Sequence, residues 1–277
     1  MGLEKRTIKI IVIVAVILVV IGTILGLLLG LLLPIRYVEL EVWPRSDEYN
    51  SEEPLIYFRA NDPGSWHPWY KKINDFLRVY ETSVPEEPPR APCSVNRQDQ
   101  RLPVPQCEQA LAMWAPCNAD HFYGYADGRP CVFLRLSHIH YWVPEPYNVT
   151  LQLPLPDDMP HNIKEAMRQR PAHQFGDFIW VSCDGEFSSD KENVGTIQYI
   201  PIGFPPGFPA SRLHTADRLT YSARSLPDDV PGPLIGVFFE NPKRGLVINV
   251  ECRIWTRDIY YNPTSRTGRA RFELHVE

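Results

Sequence analysis

The chain has 277 residues, 44% of them hydrophobic, with 28 prolines and a formal net charge of −5. Every proline lies after residue 33, which argues against a helical bundle there, because proline removes a helix donor and clashes with the preceding turn. Residues 1–33 sum to +2, which leaves −7 for the remainder, and a net acidic body argues against nucleic-acid binding, since that needs clustered Lys and Arg.

Residues 10–33 predict a transmembrane helix. They contain no charged residue, and Thr23 is their only polar side chain. At about 1.5 Å of rise per residue, they are long enough to cross a hydrocarbon core of about 30 Å with some tilt. A cleaved signal peptide is the alternative, but its apolar region usually covers about 7–15 residues and ends at a cleavage site of small residues. The run here ends in three leucines and Pro34, so we expect an uncleaved anchor in membrane lipid.

The flanking charges orient this span. Lys5, Arg6 and Lys9 precede it, whereas mostly acidic residues follow it from Glu39 onward. The positive-inside bias therefore places the N-terminus in the cytoplasm and the body outside, as in a single-pass type II membrane protein. The predicted organisation is a cytoplasmic tail over residues 1–9, a transmembrane helix over 10–33, an extracellular linker or stalk over 34–70 and an extracellular domain over 71–277.

Glycine recurs every four residues within the span, at Gly22, Gly26 and Gly30. On a helix these positions form one stripe, where the missing side chains let a partner helix approach closely. The alternative is that glycine is common in membrane helices in general. Two GxxxG spacings in register favour a partner helix.

All six cysteines follow the span, so the predicted orientation places them in an oxidising compartment, where disulfides persist. They are Cys93, Cys107, Cys117, Cys131, Cys183 and Cys252. A zinc site is disfavoured, because the sequence has no closely spaced pair such as CxxC. Six cysteines allow 15 connectivities, and spacing does not choose among them. Asn148, in Asn148-Val149-Thr150, is the one acceptor for N-linked sugar.

The hydrophobic periodicity of the body changes from helical to strand-like along the chain. Ile73, Phe76, Leu77 and Tyr80 form a helical stripe. After Cys131 the pattern alternates with period two, as in strands with one buried face. Strands are predicted at residues 132–136, 179–181, 196–200, 234–240, 248–254 and 270–276. Short strands separated by proline-rich loops indicate a β-sandwich with one or two short helices, and the position of Cys252 on an apolar strand face predicts a buried disulfide.

The sequence carries no catalytic signature: GxSxG, HExxH, P-loop and dinucleotide GxGxxG motifs are all missing. His138 and His140 lack a third metal ligand nearby in the sequence, and the acid pairs at 157–158 and 228–229 are expected to be solvated loop acids. We therefore predict no enzyme activity, no cofactor, no metal and no small-molecule substrate.

Residues 204–209 read Phe-Pro-Pro-Gly-Phe-Pro. An exposed, extended segment of this composition suits partner docking, which makes Phe204, Pro206, Phe208 and Pro209 candidate binding residues. The alternative is a rigid loop wedged onto the sandwich, and the sequence does not decide between the two.

Several strings resemble motifs of the β subunits of the sodium/potassium and proton/potassium pumps, in the family's order and along nearly the whole chain. They are 58–63 (FRANDP, family FRPNDP), 76–80 (FLRVY, family FLxxY), 123–131 (YGYADGRPC, family YGYxxGKPC), 183–185 with 190–195, 206–209 (PGFP), 233–237 (PLIGV, family PLLAV) and 271–277. The short tail, the single span and the six cysteines that follow it resemble the same family.

This resemblance implies an immunoglobulin-like sandwich whose cysteines pair in order, as Cys93–Cys107, Cys117–Cys131 and Cys183–Cys252. It implies a non-catalytic subunit at the plasma membrane that assembles with the catalytic α subunit of a P-type cation pump, supports its folding and delivery, and modulates transport. The glycine stripe and the 204–209 segment then become candidate contacts with that α subunit.

One departure from the family motivates an alternative function. Residues 210–217 are polar and non-aromatic, where the family carries an aromatic stretch that touches the α subunit. Because aromatic anchors commonly dominate interface energetics, the alternative is a pump-independent adhesion or junction glycoprotein with the same ectodomain. A membrane-anchored glycosyltransferase shares the topology, but the sequence lacks a DxD-type metal motif.

Overall fold

The computed structural model of the chain describes residues 13–23, 38–45, 54–82, 114–137, 142, 144–147, 154–169, 178–201, 206–210, 213, 233–259 and 267–277. The chain divides into two compact units, Met1–Arg36 and Tyr37–Glu277. Several residues singled out by the sequence lie outside the described residues, so the predictions for them stay predictions. These are Gly26, Gly30, Cys93, Cys107, His138, His140, Asn148 and Phe204, with the acid pair at 228–229.

In the first unit, residues 13–23 form helix α1. Its large apolar side chains between Ile13 and Ile21 are 48–66% exposed, and because they are nearly consecutive they cover every face of the helix. Within the described part of the chain, no helix combines the length and the hydropathy required to cross a membrane.

The second unit is built on two β-sheets. The first sheet has the order β1 (Glu39–Trp43), β3 (Cys131–Ser137), β7 (Leu234–Phe239) and β5 (Ile197–Ile200), with antiparallel neighbours throughout. The second has the order β2 (Leu55–Phe58), β9 (Arg269–Val276), β8 (Val247–Trp255), β4 (Phe178–Gly185) and β6 (Gly207–Pro209), in which only the β2–β9 pair is parallel. The described helices of this unit are α2 (Pro63–Thr82), a 3₁₀ segment η1 (Ala119–Asp127), α3 (His161–Gln169) and α4 (Ser188–Asn193).

The two sheets enclose one hydrophobic core. On β8 the alternate residues Ile248, Val250, Cys252 and Ile254 are at most 1% exposed, as the period-two pattern predicts. The rings of Phe239 in β7 and Phe272 in β9 meet with centroids 6.0 Å apart. The β-rich, two-sheet domain predicted from the alternation is confirmed.

Strand β3 differs from its predicted half-buried form. The period-two pattern sets Phe133 with Arg135 on the face opposite Val132, Leu134 and Leu136, and thus towards solvent, yet Phe133 is fully buried. The rings of Trp114 and Tyr123 pack against it, with centroids at 6.0 and 5.8 Å. The outer face of this sheet is therefore covered by segments that precede β3, which a pattern within one strand does not reveal.

The structure also differs from the stalk predicted over residues 34–70. Strands β1 and β2 both fall in this range and pair within the two sheets, α2 begins at Pro63, and the compact unit starts at Tyr37. Buried Leu40 and Val42 in β1, and Ile56 and Phe58 in β2, explain why these residues fold into the sandwich rather than extending as a linker.

The predicted helical stripe lies on α2 and packs on the first sheet. Ile73 and Phe76 are buried, and Leu77 and Tyr80 pack against the core as partly buried residues. Phe76 stacks on Trp43 of β1, with ring centroids 4.5 Å apart and planes within 10°. The stripe is confirmed as the face by which this helix docks.

Two disulfides join described residues, Cys117–Cys131 and Cys183–Cys252, and both pairings are those that the resemblance implies. Cys183 and Cys252 stand directly opposite each other in the β4–β8 ladder. Their exposed fractions are 8% and 0%, so the prediction that this bridge is buried is confirmed. The expected Cys93–Cys107 bridge lies outside the described residues.

Candidate partner-binding surface

The described part of the 204–209 segment forms β6, at the end of the second sheet. It pairs with β4, with Phe208 opposite Ile179 and Gly207 opposite Trp180. The backbone N–H of Val181 donates to the carbonyl of Pro206 at 2.8 Å. Pro209 lacks an N–H to donate, which a strand at the edge of a sheet tolerates.

Phe208 serves the core of the sandwich. Its side chain is fully buried and belongs to the cluster between the sheets. A Cβ on the neighbouring Gly207 would lie 2.6 Å from the carbonyl oxygen of Ile179, so glycine is what allows β6 to approach β4 this closely. For Phe208 the structure therefore matches the wedged-loop interpretation, whereas Pro206 and Pro209 are half-buried and keep an accessible side.

The residues after β6 help to hold this segment against the sandwich. Ala210 and Leu213 are 9% and 8% exposed, and the N–H of Leu213 donates to the carbonyl of Ala210 at 3.2 Å. The sequence suggested a polar stretch here, yet its two described apolar residues are buried. The segment is thus pinned on both sides of Pro209.

A buried carboxylate ties β1 to β3 beneath α2. Glu41 is 8% exposed and accepts hydrogen bonds from Arg135, the shorter at 2.6 Å, while Arg45 lies at 3.1 Å. Burial acts to raise the pKa of Glu41, but the hydrogen bonds and charge of Arg135, with the charge of Arg45, outweigh it and hold that pKa below its ordinary value. The guanidinium of Arg135 also lies 5.4 Å from the ring centroid of Phe76, so this ion pair helps to hold the helix on the sheet.

A second charged group covers the outer face of the second sheet. Glu251, 9% exposed, contacts Arg269 at 3.5 Å, Arg271 at 3.1 Å and also Arg253. Arg253 reaches Asp158 at 3.1 Å, so one of the acids expected to be a solvated loop residue is both exposed and ion-paired. Sequence reasoning missed this group, because its members come from different strands.

Among the described side chains, no group of three or more His, Cys, Asp or Glu converges in a way that would hold a metal ion. On α1, a Cβ added to Gly22 would meet nothing within 4 Å, so the helix surface is open at the described member of the glycine stripe.

The sequence of this two-sheet domain matches a known protein family. The family model described as the sodium/potassium ATPase beta chain matches residues 39–274, a range that holds both described disulfides and both sheets except the last two residues of β9. The chain belongs to the sodium/potassium ATPase beta chain family. Members of this family are the non-catalytic, accessory chains of that pump, so the prediction that this protein is not an enzyme is confirmed.

Named relatives agree with the family match. The sodium/potassium-transporting ATPase subunit beta-2 of Drosophila melanogaster is 33% identical over 82% of this chain and 67% of its own length. Subunit beta-1 of the same organism is 29% identical over 83% of this chain and 68% of its own length. Subunit beta-1 of Tetronarce californica is 26% identical over 80% and 70%. At these identities the chain is a divergent β subunit.

The match to the beta chain family begins at β1. It therefore includes the β6 anchor and the buried Glu41, whereas α1 and the glycine stripe precede it.

Proposed function

We propose that this β subunit pairs with the catalytic α subunit of a sodium/potassium-type cation pump, assists its folding and its delivery to the plasma membrane, and modulates cation transport. The observation that carries the proposal is the family match over residues 39–274. The α subunit hydrolyses ATP in this assembly, and the present chain acts by binding, without a cofactor or a small-molecule substrate.

The proposal includes a single span over residues 10–33, with the N-terminus in the cytoplasm. Helix α1 supports it, because a helix that exposes apolar side chains on every face needs lipid or another protein around it. The cluster of Lys5, Arg6 and Lys9 before the span supports the orientation. Two contacts with the α subunit follow, one through the glycine stripe and one around Pro206 and Pro209 at the edge of the second sheet.

Co-purification tests the pairing. The tagged full-length chain is co-expressed with a sodium/potassium pump α subunit and recovered in mild detergent. We expect the α subunit in the eluate at a stoichiometric amount and at the cell surface in larger amounts than without this chain. Recovery of the chain without any pump α subunit contradicts the proposal.

Gly26→Leu tests the glycine contact separately. A leucine in the stripe separates two closely packed helices, so we expect co-purified α subunit to fall at least several-fold. Leu28→Phe is the matched control, since residue 28 lies about 200° around an ideal helix from residue 26 and adds volume on the opposite face. Loss in neither variant places the stripe towards lipid, and equal loss in both shows that added volume on any face of the helix has the effect; either result contradicts a specific glycine contact while leaving the pairing itself to the co-purification result.

The alternative of a pump-independent adhesion or junction glycoprotein receives no support from the family match or from the relatives named above. Its motivation was the missing aromatic stretch after Pro209, where the two described residues, Ala210 and Leu213, are buried.

A further inference from the structure

Strand β5 is the last described strand of the first sheet, so one of its edges has no partner strand in the described part of the chain. Its other edge pairs with β7, and the ladder begins where the N–H of Glu240 donates to the carbonyl of Thr196 at 2.9 Å. Hydrogen-bonded pairs alternate along an antiparallel ladder, so every second residue from Thr196 onward bonds to β7. Ile197 and Tyr199 therefore direct their N–H and C=O groups towards the open edge.

The open edge of β5 is suited to an added strand. The strand reads Ile-Gln-Tyr-Ile, without a charged residue or a proline, although natural edge strands are usually protected by lysine, proline or a bulge. Ile197 and Tyr199 pack against the core as partly buried residues, and the Tyr199 hydroxyl accepts a hydrogen bond from the N–H of Cys183 in β4 at 2.7 Å. A neighbouring strand with one apolar side would extend this part of the core.

The chain between Leu213 and Pro233 borders this edge at both of its ends. Leu213 follows β6 and is buried in the core, and Pro233 leads directly into β7, the neighbour of β5. Strand β7 ends where a short connection leads into β8, and β4 runs antiparallel to β8, so β4 and β7 begin at the same end of the sandwich. Pro209 of β6 pairs with Phe178, the first residue of β4, so the segment leaves and returns at that end.

Residues 214–232 lie outside the described residues, and their sequence contains a strand pattern. The apolar residues Leu219, Tyr221 and Ala223 are separated by single polar residues, the period of a strand with one apolar side. Residues 225–229 follow as Ser-Leu-Pro-Asp-Asp, a composition typical of a turn. The pattern thus predicts one strand and then a reversal of the chain.

The segment is long enough to pair with β5 and return. The four residues of β5 span about 13 Å, and they run towards the end at which β7 begins. A strand over residues 218–223 that leads away from Leu213 is therefore antiparallel to β5. The nine residues 224–232 reach up to about 30 Å when extended, which is enough to come back to Pro233.

Other stretches outside the described residues fit this edge less well. Residues 202–205 follow β5 directly and are too few to turn and pair with it. Residues 83–113 end beside Trp114, which lies near β5, since a Cβ on Gly236 would lie 3.5 Å from the Trp114 ring and 3.0 Å from the Cβ of Ile200. This stretch contains six prolines and no proline-free run of five residues that alternates apolar with polar, so it is a poor strand.

We propose that residues 218–223 of this chain add to the open edge of β5 as an antiparallel fifth strand of the first sheet. The segment after β6 then covers the side of the sandwich on which β5 lies, and other chains cannot pair with this edge. This pairing within the chain does not depend on the proposed assembly with the α subunit.

Amide hydrogen exchange of the full-length chain in detergent micelles tests the proposal, followed by NMR after isotope labelling of isoleucine and tyrosine. We call the N–H groups of Ile197 and Tyr199 the outward amides of β5. In the wild type we expect them to exchange at least about tenfold more slowly than unprotected amides. The amide of Ile200, which bonds to β7 in the alternation described above, is the internal reference for a protected position.

A pair of prolines removes the added strand. Thr220→Pro combined with Tyr221→Pro deletes two adjacent N–H groups, one of which faces β5 in any register. We expect exchange of the outward amides to accelerate at least about tenfold in this variant, with Ile200 unchanged. Thr215→Pro combined with Ala216→Pro is the matched control, because it changes the same segment before the strand and should leave all of these rates as in the wild type.

Other results overturn the proposal. Unprotected outward amides in the wild type do so, as does protection that survives the prolines at 220 and 221. Protection that grows with protein concentration identifies a second copy as the occupant of the edge and overturns the proposal. Protection that appears only with a co-purified pump α subunit overturns it as well, by identifying that subunit as the occupant.

Discussion

At several positions of this β subunit, backbone geometry determines which residue type is tolerated as much as side-chain packing does. Three consecutive residues in η1, Phe122 to Gly124, have positive φ. At Gly124 a Cβ would lie 1.9 Å from the carbonyl oxygen of Arg129, so this position excludes every side chain on two grounds. Gly245 also has a positive φ, of 79°, but a Cβ there meets nothing within 4 Å. Comparing substitutions at the two glycines therefore distinguishes the cost of backbone strain from the cost of a steric clash.

We expect Gly245→Ala to cost about 1–2 kcal/mol of unfolding free energy, the penalty of a left-handed alanine. Gly124→Ala bears the same penalty and must also displace the Arg129 carbonyl, so its cost should reach about 3 kcal/mol or more. Urea unfolding of the full-length variants in detergent, followed by tryptophan fluorescence, measures both. Equal costs for the two variants would show that the loop at Arg129 yields freely.

At the scale of elements, the docking of α2 onto β1 and β3 combines an apolar contact with a buried ion pair. The Trp43–Phe76 stack supplies the first and Glu41 with Arg135 the second. The folded-state pKa of Glu41 lies below its ordinary value of 4.5, so the stabilisation that this carboxylate contributes is present above that pH. It is lost as the pH falls through the lower, folded-state pKa.

Glu41→Gln tests this contribution. At neutral pH we expect the variant to be less stable by about 1–3 kcal/mol, the usual loss for a hydrogen bond between charged groups. As the pH falls below the ordinary value of 4.5 the difference from wild type should shrink, and it should vanish once the pH lies below the lowered folded-state pKa of Glu41, because the wild-type carboxyl is then protonated in both states. Thermal unfolding across this pH range measures it, and Asp75→Asn, which removes the exposed pair with Arg78 at 3.4 Å, should leave the acid dependence unchanged. A constant difference at all pH values would exclude the ion pair as its source.

How far the sequence predicts an element depends on whether its partners are local. The stripe on α2 and the alternation on β8 are local patterns, and both are confirmed. Phe133 was misplaced because its cover comes from Trp114 and Tyr123, outside the strand. The charged side chains around Glu251 come from different strands, so no spacing within one strand predicts that they meet. Strand β1 could have been predicted from the sequence, since Leu40 and Val42 alternate with glutamates. Its pairing with β3 could not, because that depends on a strand distant in the sequence.

At the scale of the whole molecule, the disulfide pairing and the domain boundary show where sequence reasoning stops. Pairing of the described cysteines followed from resemblance to a family, whereas the 15 connectivities open to six cysteines could not be reduced by spacing. The stalk boundary differed because an extended, proline-flanked segment and an edge strand look alike until a neighbouring strand is known. The surface that contacts the pump depends in the same way on a neighbour, because its contact residues are set by the α subunit, a second chain.

The two described disulfides predict unequal losses of stability. Cys183–Cys252 closes a separation of 69 residues and Cys117–Cys131 one of 14. In the chain-entropy model the longer loop stabilises by about 4–5 kcal/mol and the shorter by about 3 kcal/mol. We expect the double alanine variant at 183 and 252 to lose more unfolding free energy than that at 117 and 131, measured by urea unfolding without reductant. Paired alanines avoid free thiols, and both bridges are buried, so the cavities left behind are comparable. A larger loss at 117 and 131 would show that local packing of η1 on β3, rather than loop closure, sets the contribution of the bridges.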